Sequence, residues 1–273
     1  MYIPINITKP KGTSPGAATP KDPNITIVLV DDILTHPLRD AGGVKMLGNI
    51  VMKPGTKMYQ LYQSPSKFKG SYEPEGDEDT VTYKQKVEME HPGDSLEINE
   101  FITNWTGKNV LVIFGSCSEN FRKVYGTKCA PLQVKATSQD DNDARKKMLV
   151  FEQYAKSAFL PGHYTGELVF DEPFAPATAA FDVTEANGHQ YRIPALDVTA
   201  DISFTALSLP HGSTVTLIGS GGEDPATLTS AVAGQATVIL SAGSDWTALL
   251  NATIQLQVFD AGATKYLIEV ARS

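Results

Sequence analysis

The side chains best equipped for chemistry are few and scattered. Asp31, Asp32, His36 and Asp40 form the densest cluster of ligand-type residues, and carboxylates with an imidazole can hold a divalent metal. Pro37 interrupts the run and the spacing fits no metal loop, so a polar turn before Gly42-Gly43 is expected. Glu73, Glu75, Asp77, Glu78 and Asp79 could attract calcium, but they lack the Asp/Asn alternation of a calcium loop and read as solvated. Cys117-Ser118-Glu119 with His91 or His163 would supply a nucleophile and a base. No spacing suggests the third group that would orient them. Gly219-Ser220-Gly221-Gly222-Glu223 looks phosphate-friendly, but no helix follows to receive the phosphate, so a hairpin loop is expected. Two cysteines, Cys117 and Cys129, are too few for a disulfide scaffold or a four-thiolate zinc site, and a single bridge between them stays open. The sequence therefore predicts no enzyme, no cofactor and no metal centre.

Composition bounds what else the chain can be. It has 273 residues, 41% of them hydrophobic, which excludes a disordered chain. A net charge of −8 argues against a protein that wraps nucleic acid, because phosphate neutralisation needs clustered Lys and Arg. No window approaches the ~20 apolar residues of a membrane span, and the first residues show no apolar core of a secretory signal. Without export, the glycosylation sequons at Asn24, Asn104 and Asn251 carry no meaning. Lys and Arg number 20 in residues 1–172 and 3 in 173–273, giving net charges of −2 and −6. The shift in composition predicts a domain boundary, with a linker at 171–178 around Pro173 and Pro176.

The elements that must position these residues are mostly strands. Residues 1–24 read as an extended arm, rich in Pro and Gly from Lys9 to Pro23, with a short apolar run at Tyr2, Ile3, Ile5 and Ile7. In 25–170, strand-like runs at Val44–Met52 and Thr56–Gln63 flank the turn Pro54-Gly55, and Ser64–Asp79 reads as a long loop. Thr80–Glu90 alternates, with Val81, Tyr83, Val87 and Met89 on one face and Thr82, Lys84, Lys86, Glu88 and Glu90 on a polar face. Leu96–Trp105 reads as the one helix, with Leu96, Phe101, Ile102 and Trp105 as its apolar side, Ser95 at its start and Gly107 at its stop. Strands at 108–115, 129–138, 146–155 and 163–170 complete a mainly β barrel or sandwich with one packed helix. Residues 179–273 carry about seven short strands at 8–12-residue spacing, the pattern of an Ig-like β-sandwich. Asn187-Gly188 signals a hairpin there, and Trp246 is its expected core anchor.

The element order of the first domain resembles that of the major tail tube proteins of long-tailed bacteriophages and their relatives in contractile injection machines. The resemblance is carried by the alternating strand Thr80–Glu90 after a charged loop, the helix, and the apolar strand Asn109–Phe114. Tyr125-Gly126-Thr127 then leads into a strand, and Asp140-Asp141-Asn142-Asp143 into Lys147–Glu152. A C-terminal Ig-like domain is a frequent decoration in that family. The resemblance implies a structural virion protein that assembles into stacked, usually hexameric, rings in the host cytoplasm. The resulting tail tube ejects DNA. Its partners would be further copies of itself, the tape-measure protein and other tail proteins, with DNA in transit without specific binding and no membrane. It implies that Thr82, Lys84, Lys86, Glu88 and Glu90 face the lumen. Tyr2, Ile3, Ile5, Ile7, Lys67, Lys69, Tyr72, Glu75 and Asp77 would touch adjacent rings. Like charge would let DNA slide, which requires an acidic inner face inside a domain whose total is only −2. Two other readings are a carbohydrate- or cell-surface-binding β-protein, with Tyr59, Tyr62, Tyr72 and Trp105 as stacking residues, and another virion component such as a capsid decoration or tail terminator protein.

Overall fold

A computed structural model describes residues 5–117, 119–262 and 264–273. Tyr2, Ile3 and Ser118, named above, lie outside the described residues. The chain is mainly β with one helix, and it divides into two compact units. Residues 1–33, 38–47 and 58–165 form the first. Residues 166–273 form the second, together with 34–37 and 48–57 from the N-terminal half. The switch at Thr165/Gly166 falls a few residues before the expected linker.

The strands up to residue 164 are β1 (Asn24–Leu29), β2 (Ile33–Thr35), β3 (Leu38–Arg39), β4 (Met46–Leu47), β5 (Val51–Met52), β6 (Tyr59–Tyr62), β7 (Lys69–Glu75), β8 (Thr82–Pro92), β9 (Val110–Gly115), β10 (Arg122–Tyr125), β11 (Leu132–Asp140), β12 (Arg145–Gln153) and β13 (Gly162–Tyr164). Helix α1 (Leu96–Trp105) lies between β8 and β9. Nine of these strands make one branched sheet with the character of a half-barrel. β9 is the branch point. It carries β1 and then β6 along one edge. It meets β10 at residues 112–115 and β11 at Val110. The β11 branch continues through β12 and β8 to β7. β9 is a continuous apolar run because both of its faces are buried, whereas β8 alternates because only one is. Ile25, Ile27, Val87, Met89, Val112, Leu149 and Phe151 fill the core, each worth about 1.5–3 kcal/mol when fully buried. Of the helix, Ile98 is buried with them, and Phe101, Ile102 and Trp105 pack alongside at i, i+3, i+4 and i+7. Leu96, expected on this face, is 70% exposed.

Three local expectations are corrected. Ser64–Asp79 is not a loop: Pro65–Lys67 is a 3-10 turn and Lys69–Glu75 is β7, paired antiparallel with β8 over seven positions. Gly70 and Pro74 disguised it. Pro74 is tolerated because β7 is the last strand of the sheet. Gly70 is required because an added Cβ would lie 2.7 Å from Phe114 Cζ. Val44–Met52 is broken by Gly48 at φ +90°, which leaves β4 and β5 as separate two-residue strands paired with β3 and β2. β10 at Arg122–Tyr125 was missed because Arg122 and Lys123 dilute a short apolar signal.

The second unit contains β14 (Ala180–Val183), β15 (Gln190–Ile193), β16 (Ser203–Leu207), β17 (Thr214–Gly219), β18 (Thr227–Leu228), β19 (Val232–Ala233), β20 (Ala236–Ile239), β21 (Trp246–Thr247), β22 (Thr253–Asp260) and β23 (Lys265–Arg272). A six-stranded sheet, β15-β17-β22-β23-β20-β19, and the ladders β14-β16 and β18-β21 enclose one core containing Tyr191, Phe204, Leu217, Trp246 and Leu256. The hairpin expected across Asn187-Gly188 does not form. β14 and β15 pair in parallel with β16 and β17 in different sheets.

Candidate functional site

The polar face expected on β8 exists, and the register shows what surrounds it. Opposite residues in an antiparallel ladder share a face. Glu88 lies across from Lys69 on β7 and Val150 on β12, and Lys86 lies across from Ser71 and Glu152. Lys135 on β11 joins the same face opposite Val150. Over the four strands this face carries Lys69, Lys84, Lys86, Lys135 and Lys146 against Glu73, Glu75, Glu88, Glu90 and Glu152. The charges balance, so the acidic segregation required by like-charge repulsion is not on this face.

The charges are also paired with one another. Lys84 Nζ lies 2.7 Å and Lys135 Nζ 3.2 Å from the Glu152 carboxylate. Lys146 reaches Glu90 at 3.1 Å, and Lys86 bonds Glu88. Hydrogen bonding from Lys84 holds the Glu152 carboxyl below the usual range, and the same bond raises Lys84. Lys86 and Glu88 shift in the same opposed way. Such exposed pairs contribute little stability each. Their effect is to tie down four of the five cations of the face, Lys84, Lys86, Lys135 and Lys146.

The residues expected at ring contacts fall into separate places. Lys67 ends the 3-10 turn, Lys69, Tyr72 and Glu75 lie on β7, and Asp77 lies in the turn before β8. Tyr72 meets Tyr83 edge-on at 6.0 Å between centroids, and Glu75 Oε2 lies 3.2 Å from Lys156 Nζ. Ile5 and Ile7 are 74% and 92% exposed. β7 pairs only with β8, and β6 only with β1, so both are open edges of the sheet.

Sequence reasoning missed an apolar groove of about 520 Å³ between β6, β1 and α1. Ile27, Leu61, Ile98 and Phe101 line it, with Tyr59 and Trp105 at one end and Tyr62 and His91 at the other. Tyr59 meets Trp105 edge-on at 5.1 Å, and Phe101 stacks on Trp105 at 4.9 Å. His91 Nδ1 hydrogen-bonds the Tyr62 carbonyl at 2.9 Å. Tyr59, Tyr62 and Trp105 were visible as exposed-type aromatics, but nothing in the sequence brings β6 beside α1. Tyr72 is not part of this groove.

Among the described residues no group of three or more His, Cys, Asp or Glu could hold a metal. Cys117 and Cys129 are free and exposed. His163 stacks on Phe121 at 3.7 Å, and His91 is engaged with Tyr62. No helix of the described residues is long and apolar enough to cross a membrane. No protein-family profile, curated protein or solved structure matches the chain.

Proposed function

We propose that this protein is a self-assembling structural subunit whose first unit completes a barrel with neighbouring copies, forming stacked rings of a phage-type tail tube. The observation that carries the reading is the unclosed sheet: a half-barrel whose terminal strands β7 and β6 each keep a free edge. Pairing such edges between copies removes them and yields a continuous inner barrel. The balanced face of β7, β8, β12 and β11 is the candidate lumen lining. Four of its five lysines, all but Lys69, are held by glutamates, so it offers passing phosphate little free positive charge. That replaces like-charge repulsion as the reason DNA would slide. The second unit fits an Ig-like decoration, with a six-stranded sheet and two short ladders around one core that includes Trp246. The virion tail is the corresponding location, with tape-measure and other tail proteins as further partners.

The carbohydrate-binding alternative is weaker. Its aromatics gather only in part, and Phe101 already occupies a face of Trp105 where a sugar would stack. Sedimentation velocity on the purified chain separates the readings. Species at ring multiples of 29.4 kDa support self-assembly, and a stable 29.4 kDa monomer at tens of micromolar contradicts it.

A further inference from the structure

We infer that the groove between β6 and α1 is the docking site for the N-terminal arm of a second copy, which adds an antiparallel strand to the free edge of β6. The inference rests on the proposed self-assembly and names the surface and register through which it would run.

The parity of the β1–β6 ladder fixes which groups of β6 are available. Gln63 N–H donates to the Pro23 carbonyl at 2.8 Å, and Ile25 and Ile27 lie opposite Leu61 and Tyr59. The backbone groups of Tyr59 and Leu61 therefore face β1, and those of Gln60 and Tyr62 face away from it. The Tyr62 carbonyl is taken by His91 Nδ1. What remains on the edge is the N–H and carbonyl of Gln60 and the N–H of Tyr62. The side chains of Tyr59 and Leu61 lie on the groove side, with Ile25 and Ile27.

The arm matches this edge in one register. Asn6 opposite Gln60 exchanges two backbone hydrogen bonds. On this edge the position two residues before Asn6 has only to accept the Tyr62 N–H, because the Tyr62 carbonyl is already held by His91, and the sequence carries there a proline, which has no N–H to leave unpaired. In the same register Ile5 lies opposite Leu61 and Ile7 opposite Tyr59, so both enter the apolar groove. In this chain Ile5 and Ile7 are both exposed, and among the described residues the arm is first tied down at Pro20 and Lys21, against Ser116. The residues from Ile7 to Pro20 span up to about 45 Å when extended, enough to reach a neighbouring molecule. The occupant is a peptide rather than a sugar because the groove borders a strand edge and its largest ring is already stacked.

The test uses two differently tagged full-length chains, both carrying Cys117→Ser and Cys129→Ser. One also carries Asn6→Cys and the other Gln60→Cys. Paired Cα atoms at about 5.5 Å are within disulfide reach. Mixing and mild oxidation are expected to give a cross-linked heterodimer. Its yield is expected to exceed by about tenfold that of Asn6→Cys with the exposed control Val232→Cys. Adding Ile7→Asp to the arm is expected to lower the yield by about tenfold, as the loss of one buried aliphatic side chain requires. A yield no higher than the control overturns the inference. So does a cross-link formed only when both cysteines share one chain. Rings seen by microscopy without the cross-link sink the arm site alone, and a cross-link in a chain that forms no rings sinks the tube reading alone.

Discussion

Gly70→Ala is the most informative single change, because it asks whether β7 truly lies on the sheet. An ideal Cβ at Gly70 would sit 2.7 Å from Phe114 Cζ, 2.8 Å from Tyr125 Oη and 3.0 Å from Tyr125 Cζ. Carbon atoms in comfortable contact are about 3.5–4.0 Å apart, so the neighbours must retreat by about 1 Å. They have little room. Phe114 and Tyr125 stack on each other at 5.1 Å, and Phe68 abuts Phe114 at 4.2 Å. Burial pushes the Tyr125 hydroxyl up to about 12, which marks how dry the spot is. Overpacking of this kind costs about 1–3 kcal/mol. The assay is urea unfolding followed by Trp105 emission in a Trp246→Phe background, which leaves one tryptophan. Gly16→Ala is the control, since no atom lies within 4 Å of its added Cβ. Tyr125→Phe removes one of the three clashes and is expected to return part of the loss. If Gly70→Ala and Gly16→Ala share one midpoint, β7 does not cover these rings and cannot be the edge proposed for assembly.

Three further outcomes follow from the geometry. Lys147 at 2.8 Å, Asn99 at 2.7 Å and Arg145 at 3.1 Å hold the Asp94 carboxyl well below the usual carboxylate range. A depressed carboxyl stabilises the fold above its unfolded value, and the benefit is lost as pH falls through the folded one. The stability gap between the native chain and Asp94→Asn should therefore be full at neutral pH and shrink below about pH 4, read by thermal melts across pH. Gln255→Ala should cost the second unit about 1–3 kcal/mol by calorimetry, because its amide bonds the buried backbone N–H and carbonyl of Asn49, at 2.8 and 3.2 Å. Cys117 and Cys129 should both react with a thiol reagent in the native state, giving two equivalents per chain, and a protected thiol would contradict their exposure.

The sequence made the long regular features legible. The β8 alternation, the apolar β9 and the helix ending before Gly107 each rest on a period that local burial enforces. What it concealed depends on tertiary partners. β7 looks like a loop because Gly70 and Pro74 are judged without the rings above one and the free edge beside the other. The hairpin signal at Asn187-Gly188 failed because β14 and β15 are each captured by a different parallel partner. The polar stripe of β8 was legible, but its charge balance was not, since Lys69, Lys135, Lys146 and Glu152 come from three other strands. The groove was hidden for the same reason: β6 and α1 are more than thirty residues apart, and it is the pairing of β6 with β1 and the shared core that bring Tyr59 against Trp105.

Negative-stain microscopy of the purified full-length chain bears most directly on the central claim that the half-barrel is completed by other copies. Rings with a central bore, stacking into tubes of constant diameter as concentration rises, are the expected result. A field of separate monomers at concentrations well above micromolar would contradict it.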